Sequence, residues 1–283
     1  MTADRPLVTR HDEDRIAVVT LDSPANRNAL SRRLLDELLV AINRAGADQS
    51  LHGILLRSSQ RVFCAGADLK EAARVDMVEQ ARRIIAVQRA IVAAPVPVVV
   101  RLDGPVRAGG VGLVASADVV VAADTVTFAL TEVRLGLAAA TISIPLRARL
   151  APRVAADWFL TGRTFGAQEA RAGGLVTHVG SGGPRADGPV AHIGSASADQ
   201  GPAYPGSADP DPADRKSAVD ELVDHVLADL RTGHRQGLTA AKELLTRDLL
   251  ADFDARGEEM ARMSGQLFHS EVAQGLMAAA LRR

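Results

Sequence analysis

Short apolar runs that alternate with helical patterns are the feature that most constrains the fold of this chain. Segments 16–22 (IAVVTLD), 53–59 (GILLRSS) and 96–104 (VPVVVRLDG) are rich in β-branched and apolar residues, as buried strands are. Residues 29–46 and about 72–94 repeat apolar side chains at helical spacing, and Pro95 ends the second pattern. The alternation predicts an α/β fold with a layered core rather than a helical bundle.

Charge and hydrophobic content limit the classes of partner. The chain has 283 residues, and 47% of them are hydrophobic, which is enough for a large buried core. Lysine plus arginine number 33 against 34 aspartate plus glutamate, so the chain lacks the positive field that nucleic acid attracts. Its apolar runs are shorter than the roughly 20 residues of a membrane span, and residues 1–15 have no hydrophobic signal core. We therefore expect a cytoplasmic protein.

Cysteine and histidine usage argues against metal and redox chemistry. The single cysteine, Cys64, excludes an intramolecular disulfide and a cysteine-based metal cluster. The seven histidines show neither HxxxH nor HxxE spacing, so we predict no metal site. Because no histidine neighbours Cys64 in the sequence, we expect a buried core residue there rather than a nucleophile.

The composition changes at residue 181. Residues 181–214 hold six of the 13 prolines together with six glycines, so this segment offers little apolar area to offset the entropy of ordering it. It is interpreted as a flexible surface insertion, with a regulatory or recruitment loop as the alternative. Helical patterns follow it at 217–233, 238–268 and 269–283. The predicted organisation is a core over 1–180, the insertion over 181–214 and a helical segment over 215–283.

Two turns of small residues follow predicted strands and lead into helical patterns. The first turn lies at 65–67 (AGA) and the second at 107–112 (RAGGVG). The second turn lacks both the spacing of a dinucleotide fingerprint and the lysine of a P-loop. Free N–H groups at the two turns could instead meet at one carbonyl oxygen, as an oxyanion hole requires. The alternative is a glycine pair that packs a buried helix against a sheet.

Several motifs together resemble one family. PANRNALS (24–31), FCAGADLKE (63–71), DGPVRAGGVGLVASADVVVAA (103–123) and TFALTEVRLGL (127–137) occur in the order and spacing of the enoyl-CoA hydratase/isomerase superfamily, also called the crotonase fold. The resemblance extends over residues 8–180. It implies a crotonase-like α/β core of repeated strand-strand-helix turns with a C-terminal helical segment that packs homotrimers, or hexamers as dimers of trimers. It also implies an acyl-CoA thioester substrate and no further cofactor, since coenzyme A is part of the substrate.

The same resemblance implies roles for individual residues. The backbone N–H groups of Ala67 and Gly109 fall where the family cradles the thioester oxygen. A further set falls where the family binds the CoA moiety: Arg27, Ala29, Ala65, Asp68 and Leu69. For Arg27, a solvated charge in front of a helix is an equal alternative.

The catalytic carboxylates depart from the family pattern. Hydratases that resemble this chain carry two glutamates; here the first position is Gly112 and the second is Glu132. Glu132 is therefore expected to act as the acid/base, although a glutamate at a helix start is also stabilised by the helix dipole. Hydration of a 2-enoyl-CoA is the leading hypothesis. Double-bond isomerisation with Glu132 as single base, or CoA binding without turnover, are the alternatives.

Two further features bear on the substrate and on other acids. The segment GLAAATISIPLRARL (136–150) lacks the paired glycines of many hydratases, which predicts a different acyl pocket. Together with GGVGLVA it resembles the branch that hydrates methylglutaconyl-type substrates. Asp118 and Asp124 border a predicted strand and are expected to be structural, with a catalytic role as the alternative.

Overall fold

The computed structural model describes residues 5–68, 71, 75–181 and 217–281. Its strands are β1 (Val8–Glu13), β2 (Ile16–Leu21), β3 (Gly53–Ser58), β4 (Val98–Leu102), β5 (Val106–Arg107), β6 (Val119–Ala123), β7 (Thr127–Ala129), β8 (Thr164–Gly166) and β9 (His178–Gly180). Its α-helices are α1 (Arg32–Ala47), α2 (Met77–Ala93), α3 (Gly109–Ser116), α4 (Ala140–Arg149), α5 (Pro152–Thr161), α6 (Ala167–Ala172), α7 (Ala218–Thr232), α8 (Arg235–Phe268) and α9 (Glu271–Leu281). Two 3₁₀ turns lie at Pro24–Asn26 and Thr131–Leu135.

Two sheets organise the core. The larger has the strand order β1-β2-β3-β4-β6-β9, parallel throughout except for the antiparallel β1 at its edge. The smaller has the order β5-β7-β8. The three strands expected from the sequence are confirmed as β2, β3 and β4, with ends within two residues of the predicted ones. Parallel neighbours need long crossover connections, and the helices between the strands supply them, so the predicted α/β class is confirmed.

The two amphipathic helices of the N-terminal half begin at side-chain caps. The hydroxyl of Ser31 accepts a hydrogen bond from the N–H of Leu34, and α1 buries its apolar face against the large sheet. Helix α2 begins at Met77 rather than near residue 72, because the carboxylate of Asp76 accepts hydrogen bonds from the N–H groups of Val78 and Glu79. It ends at Ala93, ahead of Pro95, as predicted.

The long helix α8 is anchored to the core by a buried ion pair. Lys242 donates to the carbonyl oxygens of Ile91 (3.0 Å) and Val96 (3.1 Å) and to the carboxylate of Asp118 (2.7 Å). Burial lowers the pKa of Lys242, against the opposing effect of Asp118. Asp118 also accepts a hydrogen bond from the N–H of Val98, so its expected structural role is confirmed.

The predicted insertion lies outside the described residues except for Ser181, but its flanks are described. A β-carbon placed on Gly180 would lie 2.9 Å from the carbonyl carbon of Ala218, so the chain leaves the core and returns to it at the same place. Ser217 and Asp220 then form a capping box that begins α7. The helices predicted to follow the insertion are confirmed as α7, α8 and α9. Within the described ranges, no helix combines the length and apolarity needed to cross a membrane.

Candidate active site

The two small-residue turns lie against each other. The N–H of Arg107 donates to the carbonyl oxygen of Cys64 at 3.0 Å, and Cys64 forms a parallel bridge with Val106. A β-carbon placed on Gly66 would lie only 2.9 Å from the β-carbon of Ala108, and Gly66 has a φ of +95°. Glycine is therefore required at position 66 both by its backbone conformation and by the close approach of the second turn.

The PANRNALS segment fixes the first turn from the other side. Leu30 donates to the carbonyl oxygen of Gly66 at 2.7 Å, and Ala65 donates to that of Arg27 at 3.1 Å. The buried side chain of Asn28 donates to the carbonyl oxygen of Phe63 at 3.1 Å and to the hydroxyl of Ser58 at 2.8 Å. Asn28 thus joins the segment to the strand and turn that precede Ala67.

Two backbone N–H groups remain available at these turns. Gly109 is the first residue of α3, so its N–H has no acceptor within the helix. Among the described residues, no oxygen accepts a hydrogen bond from the N–H of Gly109 or of Ala67. Ala108, which precedes the helix, has φ +47° and ψ −124° and donates to the carbonyl oxygen of Ala129 at 2.9 Å. Strain of this kind in a non-glycine residue persists only where surrounding contacts impose it, as they often do at functional sites.

The packing interpretation of the glycine pair is also supported. A β-carbon on Gly109 would lie 2.8 Å from Cδ1 of Leu30, and one on Gly110 would lie 2.6 Å from the β-carbon of Cys64. A side chain at position 109 would therefore meet Leu30 first, whatever it did to a bound oxygen. Cys64 is fully buried, which confirms the expected core residue. Burial raises the pKa of its thiol to about 12, so the thiolate needed for nucleophilic attack does not form near neutral pH.

Glu132 lies next to the second turn. It sits in the 3₁₀ turn Thr131–Leu135, directly after β7, and β7 pairs in parallel with β5. The last residue of β7 is Ala129, and its carbonyl oxygen accepts a hydrogen bond from the N–H of Ala108. This contact brings the segment that contains Glu132 to the start of α3. The Oε2 atom of Glu132 is buried and has no hydrogen-bond partner in the part of the chain that the structure describes.

The environment of Glu132 suits proton transfer at neutral pH. Burial raises the pKa of its carboxyl to about 7. A group with this pKa can both accept and return a proton near pH 7. A glutamate whose role was only to stabilise a helix start would gain nothing from losing its charge, so the two interpretations differ in the pKa that they expect for Glu132.

Gly112 has no room for a side chain. A β-carbon there would lie 2.4 Å from Cγ2 of Ile142 and 2.6 Å from Nε2 of Gln88. A glutamate introduced at position 112 would therefore have to displace side chains of α2 and α4, which occupy the space. Sequence reasoning missed Gln88, whose one signal was an amide among the apolar positions of α2.

The predicted CoA-binding residues lie near the first turn. Arg27 is exposed, as the solvated-charge alternative also expects, while Ala29 is buried. The N–H of Ala65 donates to the carbonyl oxygen of Arg27, and the carboxylate of Asp68 accepts a hydrogen bond from Asn26 at 3.0 Å. Leu69 lies outside the described residues. Their roles toward CoA remain predictions.

The remaining candidates lie elsewhere. Asp118 is occupied by Lys242, and Asp124 is an exposed residue whose N–H donates to the carbonyl oxygen of Gly180. In the part of the chain that the structure describes, no group of three or more His, Cys, Asp or Glu side chains is placed to hold a metal ion.

Comparisons with known proteins place these features in a family. The family model described as Enoyl-CoA hydratase/isomerase matches residues 11–183. A probable enoyl-CoA hydratase of Mycobacterium tuberculosis is 33% identical over 181 residues, which cover 63% of this chain and 70% of that protein. The mitochondrial methylglutaconyl-CoA hydratase of Rattus norvegicus is 33% identical over 183 residues, 61% of this chain and 58% of that protein. The crystal structure of an enoyl-CoA hydratase from Mycobacterium avium is 34% identical with a TM-score of 0.80, covering 99% of this chain and 97% of that one.

Proposed function

Because the chain belongs to the enoyl-CoA hydratase/isomerase family, we propose that it is an enoyl-CoA hydratase that adds water to a 2-enoyl-CoA thioester with Glu132 as its acid/base. The crotonase fold with a C-terminal helical segment, expected from the sequence, is confirmed by the likeness to the hydratase from Mycobacterium avium. The family makes the chain an enzyme of enoyl-CoA chemistry. The reaction and the residues that perform it are the proposal.

The oxyanion side of the proposal rests on the two turns. Addition of water to C3 of the enoyl thioester moves an electron pair toward the carbonyl oxygen, which becomes an enolate. The N–H groups of Ala67 and Gly109 are on adjacent turns and have no acceptor among the described residues. Two such donors would stabilise the negative oxygen, and losing one typically costs about 10²-fold to 10³-fold in rate.

The observation that carries the proposal is the carboxylate of Glu132, whose Oε2 atom is buried without a hydrogen-bond partner among the described residues. In its ionised form it takes a proton from the water as the oxygen bonds to C3, and it then returns a proton to Cα, which collapses the enolate. The pKa of about 7 that burial gives this carboxyl lets one group perform both transfers. A second acid or base would have to come from a residue outside the two catalytic positions of the family, because residue 112 is a glycine.

Isomerisation is the second candidate. Moving a double bond requires one proton to leave one carbon and another to arrive two carbons away, and a single base can do both. The blocked space beside Gly112 favours this alternative, because a second carboxylate cannot stand there. A member that only binds CoA would retain the turns but show no turnover.

Steady-state assays with the purified chain distinguish hydration, isomerisation and binding without turnover. We expect crotonyl-CoA to be hydrated to 3-hydroxybutyryl-CoA faster than a 3-enoyl-CoA is converted to its 2-enoyl isomer. The opposite ratio would replace hydration by isomerisation. Binding of acyl-CoA without turnover of either substrate would show a binding protein. A panel of acyl-CoA substrates that includes 3-methylglutaconyl-CoA then defines the acyl preference.

We also propose that the helical segment assembles homotrimers or hexamers. Leu244 and Leu245 on α8 are 71% and 80% exposed, and such apolar surface is typical of a contact between subunits. Light scattering on the eluting peak of a sizing column measures the mass. A monomeric mass would contradict the proposal.

A further inference from the structure

Gln88 is an unexplained polar group in the core of the molecule. It lies in the middle of α2 and is 0% exposed. Among the described residues, neither its Nε2 nor its Oε1 atom has a hydrogen-bond partner. Buried amides are normally hydrogen-bonded because an unpaired one loses its contacts with water and gains none in return. An amide kept in this position at the expense of stability points to a partner that arrives from outside the chain.

The position of the amide indicates what that partner is. Its Nε2 lies 2.6 Å from where the β-carbon of residue 112 would stand. Gly112 is three residues after Gly109 in α3, so it follows Gly109 on nearly the same face of the helix. The carbonyl oxygen of Gly112 already accepts from the hydroxyl of Ser116 at 2.8 Å, so the amide does not serve to repair the helix. Gln88 therefore brings a polar group from α2 to the helix face that begins at the oxyanion turn.

A second glutamine on α2 shows the contrast. Gln80 is also buried and its Oε1 has no partner among the described residues, but its Nε2 donates to the carbonyl oxygen of Leu30 at 2.8 Å. It thereby stabilises the segment that pairs with the first turn. Gln80 has a structural use in the free chain, whereas Gln88 has none.

We propose, building on the hydratase function proposed above, that Gln88 is a catalytic residue that binds the water added to C3. Its Oε1 accepts a hydrogen bond from this water and its Nε2 donates to the water oxygen. The amide stays neutral and transfers no proton. The oxygen of the water bonds to C3, its proton goes to Glu132, and the electron pair of the C2–C3 double bond moves into the enolate. Gln88 thus replaces, by hydrogen bonding alone, the carboxylate that cannot stand at Gly112.

The test separates water addition from enolate formation. Gln88→Met keeps the length of the side chain but removes both polar atoms. We expect hydration of crotonyl-CoA to fall by about tenfold or more, as for other positioned hydrogen bonds to a reacting group. Exchange of the α-proton of butyryl-CoA with D₂O needs the oxyanion N–H groups and Glu132 but no added water, so it should stay within about twofold of the wild type.

Stability provides the matched control. Gln88→Met removes an unpaired amide, so its melting temperature should equal or exceed that of the wild type, whereas Gln80→Met loses a real hydrogen bond and should melt lower. Gln88→Glu retains two acceptor oxygens at the same length and should hydrate crotonyl-CoA faster than Gln88→Met does. If the methionine variant fails to fold, Gln88→Leu, which also lacks both polar atoms, takes its place in both comparisons.

Three results would overturn the role of Gln88. Unchanged hydration by Gln88→Met would show that the amide has no role in the reaction. Equal losses of hydration and of α-proton exchange would mean that it only supports Glu132 or the turns. Equal rates of hydration by Gln88→Glu and Gln88→Met would show that the reaction needs no hydrogen-bond acceptor at position 88. If the wild type exchanges the α-proton but does not hydrate, the hydratase function itself fails, and that result is seen without any Gln88 variant.

Discussion

The oxyanion side and the acid/base side of the candidate site are built in opposite ways. On the oxyanion side, hydrogen bonds between backbone groups and a close contact between Gly66 and Ala108 fix the two turns. On the acid/base side, Glu132 and Gln88 contribute buried polar atoms that have no partner among the described residues. The first side stabilises the fold as well as offering N–H groups to a substrate. The second side lowers stability in the free chain, which is understandable only if a substrate or water completes it.

The largest effect is expected from forcing a carboxylate into the acid/base side. Gly112→Glu places a β-carbon against Ile142 and Gln88 and buries a charge, so the free energy of unfolding should fall by about 3 kcal/mol or more. Urea denaturation measures it. Gly237→Glu is the matched control, since nothing lies within 4 Å of a β-carbon at that helical position, and its stability should change by less than about 1 kcal/mol. A stable Gly112→Glu variant would show that the side chains of Ile142 and Gln88 can move aside to admit a carboxylate.

Removal of the base should leave the oxyanion side intact. Glu132→Gln keeps the size of the side chain but cannot accept a proton, so turnover of crotonyl-CoA should fall by about 10²-fold or more while acyl-CoA binding persists. Calorimetric titration with a saturated acyl-CoA measures binding, and Glu243→Gln on the exposed surface of α8 serves as control. Full activity of Glu132→Gln would move the chemistry to another group.

The close contact between the two turns can be disrupted by one substitution, and a second substitution should restore part of the lost stability. Gly66→Ala adds a methyl group 2.9 Å from the β-carbon of Ala108 at a φ of +95°, and should cost about 2 kcal/mol of stability together with activity. The double variant Gly66→Ala/Ala108→Gly removes the contact but keeps the unfavourable φ at position 66. It should therefore recover only part of the loss. Because Ala108→Gly by itself relieves the positive φ at position 108, the single variant is the reference, and stability of the double variant equal to that of Ala108→Gly would mean that backbone strain at position 66 is unimportant.

The smallest effect is expected outside both sides of the site. Replacing residues 181–214 by a short Gly-Ser linker should leave the melting temperature and the oligomer nearly unchanged, since Gly180 and Ala218 already touch and the segment is poor in apolar residues. Thermal melts and light scattering measure both quantities. A large fall in either would show that the insertion packs on the core.

The contrast between the two sides also explains what the sequence could predict. Local patterns of apolar residues, glycine and proline predict the strands β2, β3 and β4, the helices α1 and α2, the helices after the insertion and the two turns. Glu132 could be found because its motif is contiguous. Gln88 could not, because its meaning depends on how α2 packs against α3 and α4, which are distant in sequence. The blocked space at Gly112 was hidden for the same reason.

Asn28 shows a further limit of local patterns. Within PANRNALS it is one of several polar residues, and nothing in the segment indicates that its side chain is buried. Its hydrogen bonds to Ser58 and to the carbonyl oxygen of Phe63 exist only once β3 and the following turn are in place. Residues of this kind satisfy buried backbone groups, and the sequence alone does not distinguish them from surface residues.

The central claim is that one buried carboxylate, Glu132, performs the proton transfers, and the pH dependence of kcat/KM for crotonyl-CoA tests it most directly. Burial raises the pKa of this carboxyl to about 7, and the ionised form must accept the proton of water, so kcat/KM should be level above pH 7 and fall about tenfold per pH unit below it. Glu132→Gln should lose this dependence together with its activity. A wild-type profile that stays level down to pH 5 would contradict the account, because the base would then be a carboxylate in water or another group altogether.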